Sequence, residues 1–102
     1  MNFITFIQKQ AKQPDEAVNL FVNFAVNDKN FPTSSDPEIL AKYLYKKLNH
    51  KQTSGFQKCL MIYKQFEQKN EIPNKYNDQM KFIDALNFII DLQNNDPEYS
   101  DF

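Results

Sequence analysis

The chain is expected to fold as an all-α bundle of four helices with an additional C-terminal helix. Its apolar residues recur at i, i+3, i+4 and i+7 along almost the whole length, the period of an amphipathic helix rather than a strand. Its 102 residues include one Gly and five Pro, few of the turn formers that a sheet of many short strands requires. Ser, Asp and Glu precede several apolar runs, where a helix N-terminus favours hydrogen-bond acceptors and negative charge.

The first helix is placed at about residues 2–12, on Phe3, Phe6 and Ile7, with Gln10 and Ala11 continuing the spacing. Pro14 ends it, because its ring and missing N–H are tolerated only in a first turn. Asp15 and Glu16 favour the start of a second helix. Its stripe is Val18, Phe21, Val22 and Ala25, with Phe24 at the edge, and it stops near Asp28. Residues 28–35 read as a loop in which Pro32 holds Phe31 extended, so that Phe31 anchors the loop on the core.

The third helix has two competing starts: a Ser35–Glu38 capping box, and an Asp36 cap with Pro37 in the first turn. Ile39, Leu40, Tyr43, Leu44 and Leu48 form its apolar face, and the segment from Asn49 to Gln52 ends it. Thr53 or Ser54 caps a fourth helix that turns Phe56, Cys59, Leu60, Tyr63 and Phe66 inward, with Ile62 beside them, down to about Gln68. Ile72, Pro73 and Asn74 break the chain. A fifth helix from about Asp78 to Leu92 carries Phe82, Ile83, Leu86, Ile89 and Ile90 on one face. Phe88 and Leu92 lie off that face and are the candidates for a homodimer contact. Tyr76, Tyr99 and Phe102 also lie outside the main stripes. Residues 94–102 are polar and acidic and are expected to fray.

Composition removes most chemistries. One Cys excludes an internal disulfide and a multi-Cys metal site, and one His excludes His-pair zinc motifs. No metal, cofactor or small-molecule substrate is expected, and no enzymatic activity. Cys59 falls on a buried stripe between Phe56 and Tyr63, where a thiol packs as a small hydrophobe. His50 falls in the polar segment ending the third helix, where its cation meets the helix C-terminus favourably. Asp84 and Asp91, seven residues apart, share a face of the fifth helix. Metal binding by the tail acids Asp96, Glu98 and Asp101 would need a turning loop, and the tail has no Gly. No run approaches the roughly 20 apolar residues of a membrane span. The apolar start from Met1 to Ile7 has no basic region before it and no small-residue cleavage site after it. The expectation is a soluble cytoplasmic protein, a compartment that a lone thiol fits.

All twelve basic residues are Lys, and the formal net charge is −1. Residues 1–41 carry a net −2, residues 42–69 a net +6 and residues 70–102 a net −5. Lys42, Lys46, Lys47, Lys51 and Lys58 make the candidate interaction face. Three roles compete for it: a solvated face partly neutralised by the acidic fifth helix, a surface for another protein or a second copy, and phosphate contact with nucleic acid. The sequence pI of about 5.7 and the absence of the planar guanidinium fork weigh against the last.

One stretch has a more particular signature. Asp28-Lys29-Asn30-Phe31-Pro32 leads through Ser34, Ser35 and Asp36 to Ile39, Leu40, Tyr43 and Leu44. Phe3, Ile4, Phe6 and Ile7 precede it, then Gln13-Pro14-Asp15; Phe56, Cys59, Leu60 and Tyr63 follow at helical spacing. Over roughly residues 3–66 the chain resembles the YozE SAM-like family, small bacterial proteins with a four-helix fold like a sterile alpha motif. Phe6 and Leu60 stand where the family has Trp, and the fifth helix and tail lie beyond the usual family length. The resemblance implies a SAM-like domain over residues 2–69, with residues 70–102 as a helix and acidic tail packed on the same domain. It implies a non-catalytic protein of undefined activity; SAM-like folds elsewhere bind proteins, self-associate or bind nucleic acid. The expected function is therefore protein interaction or self-association. The alternative is a nucleic-acid-binding accessory protein using the same lysines.

Overall fold

A computed structural model describes residues 2–9, 14–69 and 79–100, and among them it places five helices and no strand. They are α1 (Phe3–Gln8), α2 (Glu16–Asn27), α3 (Pro37–Leu44), α4 (His50–Lys69) and α5 (Gln79–Asn95). Each of the first four starts on a side chain that accepts from an otherwise orphaned N–H. Asn2 accepts from Thr5 N at 2.9 Å, and Asp15 from Val18 N at 3.2 Å. Asp36 accepts from Glu38 N at 2.9 Å with Pro37 in the first turn of α3, so the Asp-Pro start prevails over the Ser35 box. Ser35 is engaged elsewhere: its hydroxyl accepts from Phe3 N at 3.2 Å and lies 3.1 Å from the Tyr63 hydroxyl, tying the loop to α1 and α4.

The α3–α4 junction departs from the sequence reading. α3 ends at Leu44, a turn covers residues 45–47, and α4 has begun by His50. Asn49 and Gln52 explain the restart. Gln52 N donates to Asn49 Oδ1 at 2.8 Å and Asn49 N donates to Gln52 Oε1 at 3.0 Å, a reciprocal box like Ser-x-x-Glu. Thr53 and Ser54 therefore sit inside α4 rather than at its cap, and the segment expected to end α3 opens α4. Leu48 is fully buried, so it extends the apolar stripe of α3 across a turn that is not helical.

Two further limits moved. α1 stops at Gln8, with Lys9 as its C-cap; the expected continuation through Gln10 and Ala11 lies outside the described residues, as does the Ile72-Pro73-Asn74 break. α5 runs on to Asn95, and residues 96–100 pack back on the α3–α4 junction instead of fraying. Ile39 and Ile83, both assigned to apolar faces, are 50% and 41% exposed. Each sits at the edge of its stripe, where the helical period points a residue toward water as readily as inward.

The core is a ring cluster. Phe3, Phe21 and Phe56 are fully buried, and Phe31 anchors the loop onto them as expected. The Phe3 ring stands edge-on to Phe56 and Tyr63, with centroids 5.9 and 5.7 Å apart. α2 packs along α4 with Gly55 against Ala17, and α5 lies against α3 and α4. Contacts between α4 and α5 run antiparallel: Lys64 meets Phe82, Gln57 Nε2 donates to Leu86 O at 2.7 Å, and Gln93 reaches Thr53 at 2.8 Å.

Candidate interaction surfaces

The five lysines singled out in the sequence occupy two places. Lys51 and Lys58 lie on one side of α4 and turn to the start of α2, where Lys51 pairs with Glu16 at 2.9 Å and Lys58 with Asp15 at 2.7 Å. Asp15 thus both caps α2 and holds Lys58. The Lys58 hydrogen bond, then the Val18 N–H, keep its carboxyl below the ordinary 3.8. Lys42 on α3 and Lys46 and Lys47 on the following turn form a shoulder at the α3–α4 junction. Lys46 pairs with Asp96 at 3.4 Å, and the Lys47 ammonium lies 4.7 Å from the centre of the Tyr43 ring. Tyr43 is fixed in turn: its hydroxyl donates to Asp28 Oδ2 at 2.5 Å, and that carboxylate is the main cause pushing its pKa up to about 12. Tyr43 and Tyr45 are both half-buried.

The neutralising acids come from the start of α2 and from Asp96 in the tail rather than from α5 itself. Asp96 accepts from Glu98 N at 2.9 Å, which with Lys46 holds its carboxyl below the ordinary 3.8. A carboxyl depressed by folding contributes stability above its unfolded pKa and loses it as pH falls through the folded value. Carbon-13 NMR should therefore find Asp96 titrating below 3.8 in the folded protein. Lys46→Ala should move that midpoint up, and acidification through it should release the tail before the helices unfold.

The tail and α5 are held by polar side chains aimed at the carbonyls of the turn between α3 and α4. Gln93 Nε2 is buried and reaches Tyr45 O at 3.1 Å, Leu48 O at 3.4 Å and Thr53 Oγ1 at 2.8 Å. Tyr99 donates its hydroxyl to Leu48 O at 2.8 Å, and its ring packs on His50. Gln93→Leu keeps the volume but removes the donor, and should destabilise the protein by about 1–3 kcal/mol, read as a lower urea midpoint at unchanged slope. Phe88 and Leu92, the candidate dimer residues, are half-buried and packed against this protein's own core.

Cys59 and His50 are not brought together. Cys59 is 4% exposed among the rings, and burial pushes its thiol up to about 12. His50 is exposed at the start of α4, roughly 13 Å away along the helix axis, and not at the end of α3. Among the described residues no three His, Cys, Asp or Glu side chains are grouped to hold a metal ion. No helix among them is long and apolar enough to cross a membrane.

Gly55, Lys64 and the buried Gln93 escaped the sequence reading. Gly55 was counted but not placed. Lys64 entered only the charge count of residues 42–69, yet it is 6% exposed with its ammonium 4.1 Å from the centre of the Phe82 ring and no hydrogen-bond partner among the described residues. Its place on the Leu60 side of α4, one turn along, was the available signal.

This arrangement of helices and capped turns agrees with comparison at the sequence level, where the model of the YozE SAM-like fold matches residues 2–65. The chain belongs to the YozE SAM-like family. No curated protein and no solved structure matches it. The YozE SAM-like match ends within α4; α5 and the tail lie beyond the matched residues, and α5 packs on α3 and α4.

Proposed function

We propose that this YozE SAM-like protein is a non-catalytic interaction module that engages another protein through the α3–α4 shoulder. One observation carries the reading: Lys42 at the end of α3 and Lys46 and Lys47 on the turn after it are presented together, with Lys46 held by Asp96 and Lys47 held over Tyr43. Fixed cations beside tyrosines lose less freedom on binding than lysines on an open helix face. Burial of the thiol supports a non-catalytic role, because a nucleophilic Cys needs an exposed, depressed-pKa thiolate. Nucleic-acid binding would draw on the same lysines, but Lys46, Lys51 and Lys58 already face carboxylates within 4 Å.

The test uses Lys42→Glu with Lys47→Glu, two lysines without a carboxylate partner among the described residues. The pair should abolish capture of partners from native extract while leaving the circular dichroism spectrum unchanged. Capture unchanged by the pair contradicts the reading. Duplex or single-stranded DNA bound at low salt, with affinity falling steeply as salt rises, replaces it with the nucleic-acid alternative.

A further inference from the structure

The described acids differ in what they meet. Asp15, Glu16 and Asp96 are each paired with a lysine, and Asp28 accepts from Tyr43. Glu38, Asp84 and Asp91 have no ion pair among the described residues, and all three line one open groove of about 640 Å³ between the start of α3 and the outer face of α5. Ala85, Phe88 and Ile90 line that groove together with the exposed Asn87. Two of the most exposed large apolar side chains, Ile39 and Ile83, stand next in sequence to Glu38 and Asp84. Half-buried apolar side chains flanked by carboxylates that have no ion pair among the described residues have the composition of a docking groove for an amphipathic segment carrying positive charge.

We infer that the α3–α5 groove binds a basic amphipathic segment of a different protein. Apolar side chains of that segment cover Phe88 and Ile90, and its lysines or arginines meet Glu38, Asp84 and Asp91. The occupant is a foreign chain because Lys46, Lys51 and Lys58 are already held by this protein's own acids, which leaves a second copy only Lys42 and Lys47 of the five to offer. The inference deepens the interaction reading by giving it a second surface and a partner chemistry, and it uses none of the shoulder lysines.

The test is a titration of the full chain with a fluorescein-labelled peptide of about 14 residues, Leu and Lys at helical spacing, at about 20 mM salt, where surface charge is least screened. Binding should shift the amide resonances of α5 and the start of α3, and Asp84→Lys with Asp91→Lys should weaken it at least tenfold. Glu16→Lys with Glu98→Lys makes the same change in net charge away from the groove and should leave the affinity near the wild-type value. Equal weakening by both pairs reduces the effect to net charge and overturns the inference, as does binding that maps elsewhere or no binding at millimolar peptide. Light scattering of the protein alone covers the remaining occupant. Concentration-dependent growth in mass that Asp84→Lys with Asp91→Lys abolishes makes a second copy the occupant and also overturns it. Because Lys42→Glu with Lys47→Glu reads only the shoulder, failure of one surface is distinguishable from failure of the other.

Discussion

Gly55→Ala is expected to destabilise the protein by about 3 kcal/mol or more, although the site is in the interior of a helix. At an ordinary helical position the same change stabilises by up to about 1 kcal/mol, because Gly loses more backbone freedom on folding. The sign reverses here because a Cβ on Gly55 would lie 2.0 Å from the Ala17 carbonyl oxygen and 2.6 Å from its carbon. Both atoms are backbone and cannot rotate away, and Phe21 Cβ stands 3.0 Å off on the same side. To admit a methyl group, α2 must lift off α4 and loosen the rings between them. Urea denaturation with a far-ultraviolet signal measures the effect, and a midpoint at or above wild type would mean that the two helices do not approach this closely.

Phe3→Ala is expected to cost about 3–5 kcal/mol, a large share of the roughly 5–15 kcal/mol that holds a small domain folded. Phe3 is fully buried although it is the first residue of a six-residue helix that would not persist alone in water. Its ring is 6.3 Å from Phe21, 6.4 Å from Phe31, 5.9 Å from Phe56 and 5.7 Å from Tyr63. Truncation leaves a cavity touching α2, the 28–36 loop and α4 at once, and removes the contact that fastens α1. Ile39→Ala is the internal control: the side chain is 50% exposed, so the change should stay within about 0.5 kcal/mol. Equal losses from the two substitutions would contradict the packing described for Phe3.

The helices were legible because their apolar residues keep the helical period, and the starts of α2 and α3 because they carry Asp or Asp-Pro; α2 is the plainest case, running from the Asp15 cap to Asn27. Phe31 was legible as an anchor because Pro32 fixes its backbone. What was not legible depended on partners distant in the chain. Asn49 and Gln52 form a capping box from residues that spell one weakly, and the buried Leu48 continued the stripe of α3 so evenly that the turn before it left no mark. Ser35 matches a cap in sequence but is taken by Phe3 N and Tyr63. Of the proposed surface, the lysines were visible as a charge run, but not their division between the start of α2 and the tail. That division depends on Asp15, Glu16 and Asp96 arriving from far along the chain. Lys64 shows the same limit, since a lysine in a basic stretch reads as surface until α5 is laid over it.

The proposed function requires that the lone thiol be spent inside the helical core, leaving surface charge to meet other molecules. The most direct test is the rate at which a water-soluble disulfide reagent modifies Cys59 at neutral pH in the native protein, compared with the urea-unfolded chain. With the thiol 4% exposed and its pKa pushed up to about 12, native modification should be on the order of 10³-fold slower or more, limited by transient opening of the core. It should also be unaffected by Lys42→Glu with Lys47→Glu. A native rate close to that of the unfolded chain would place a reactive thiol in contact with solvent and contradict the account.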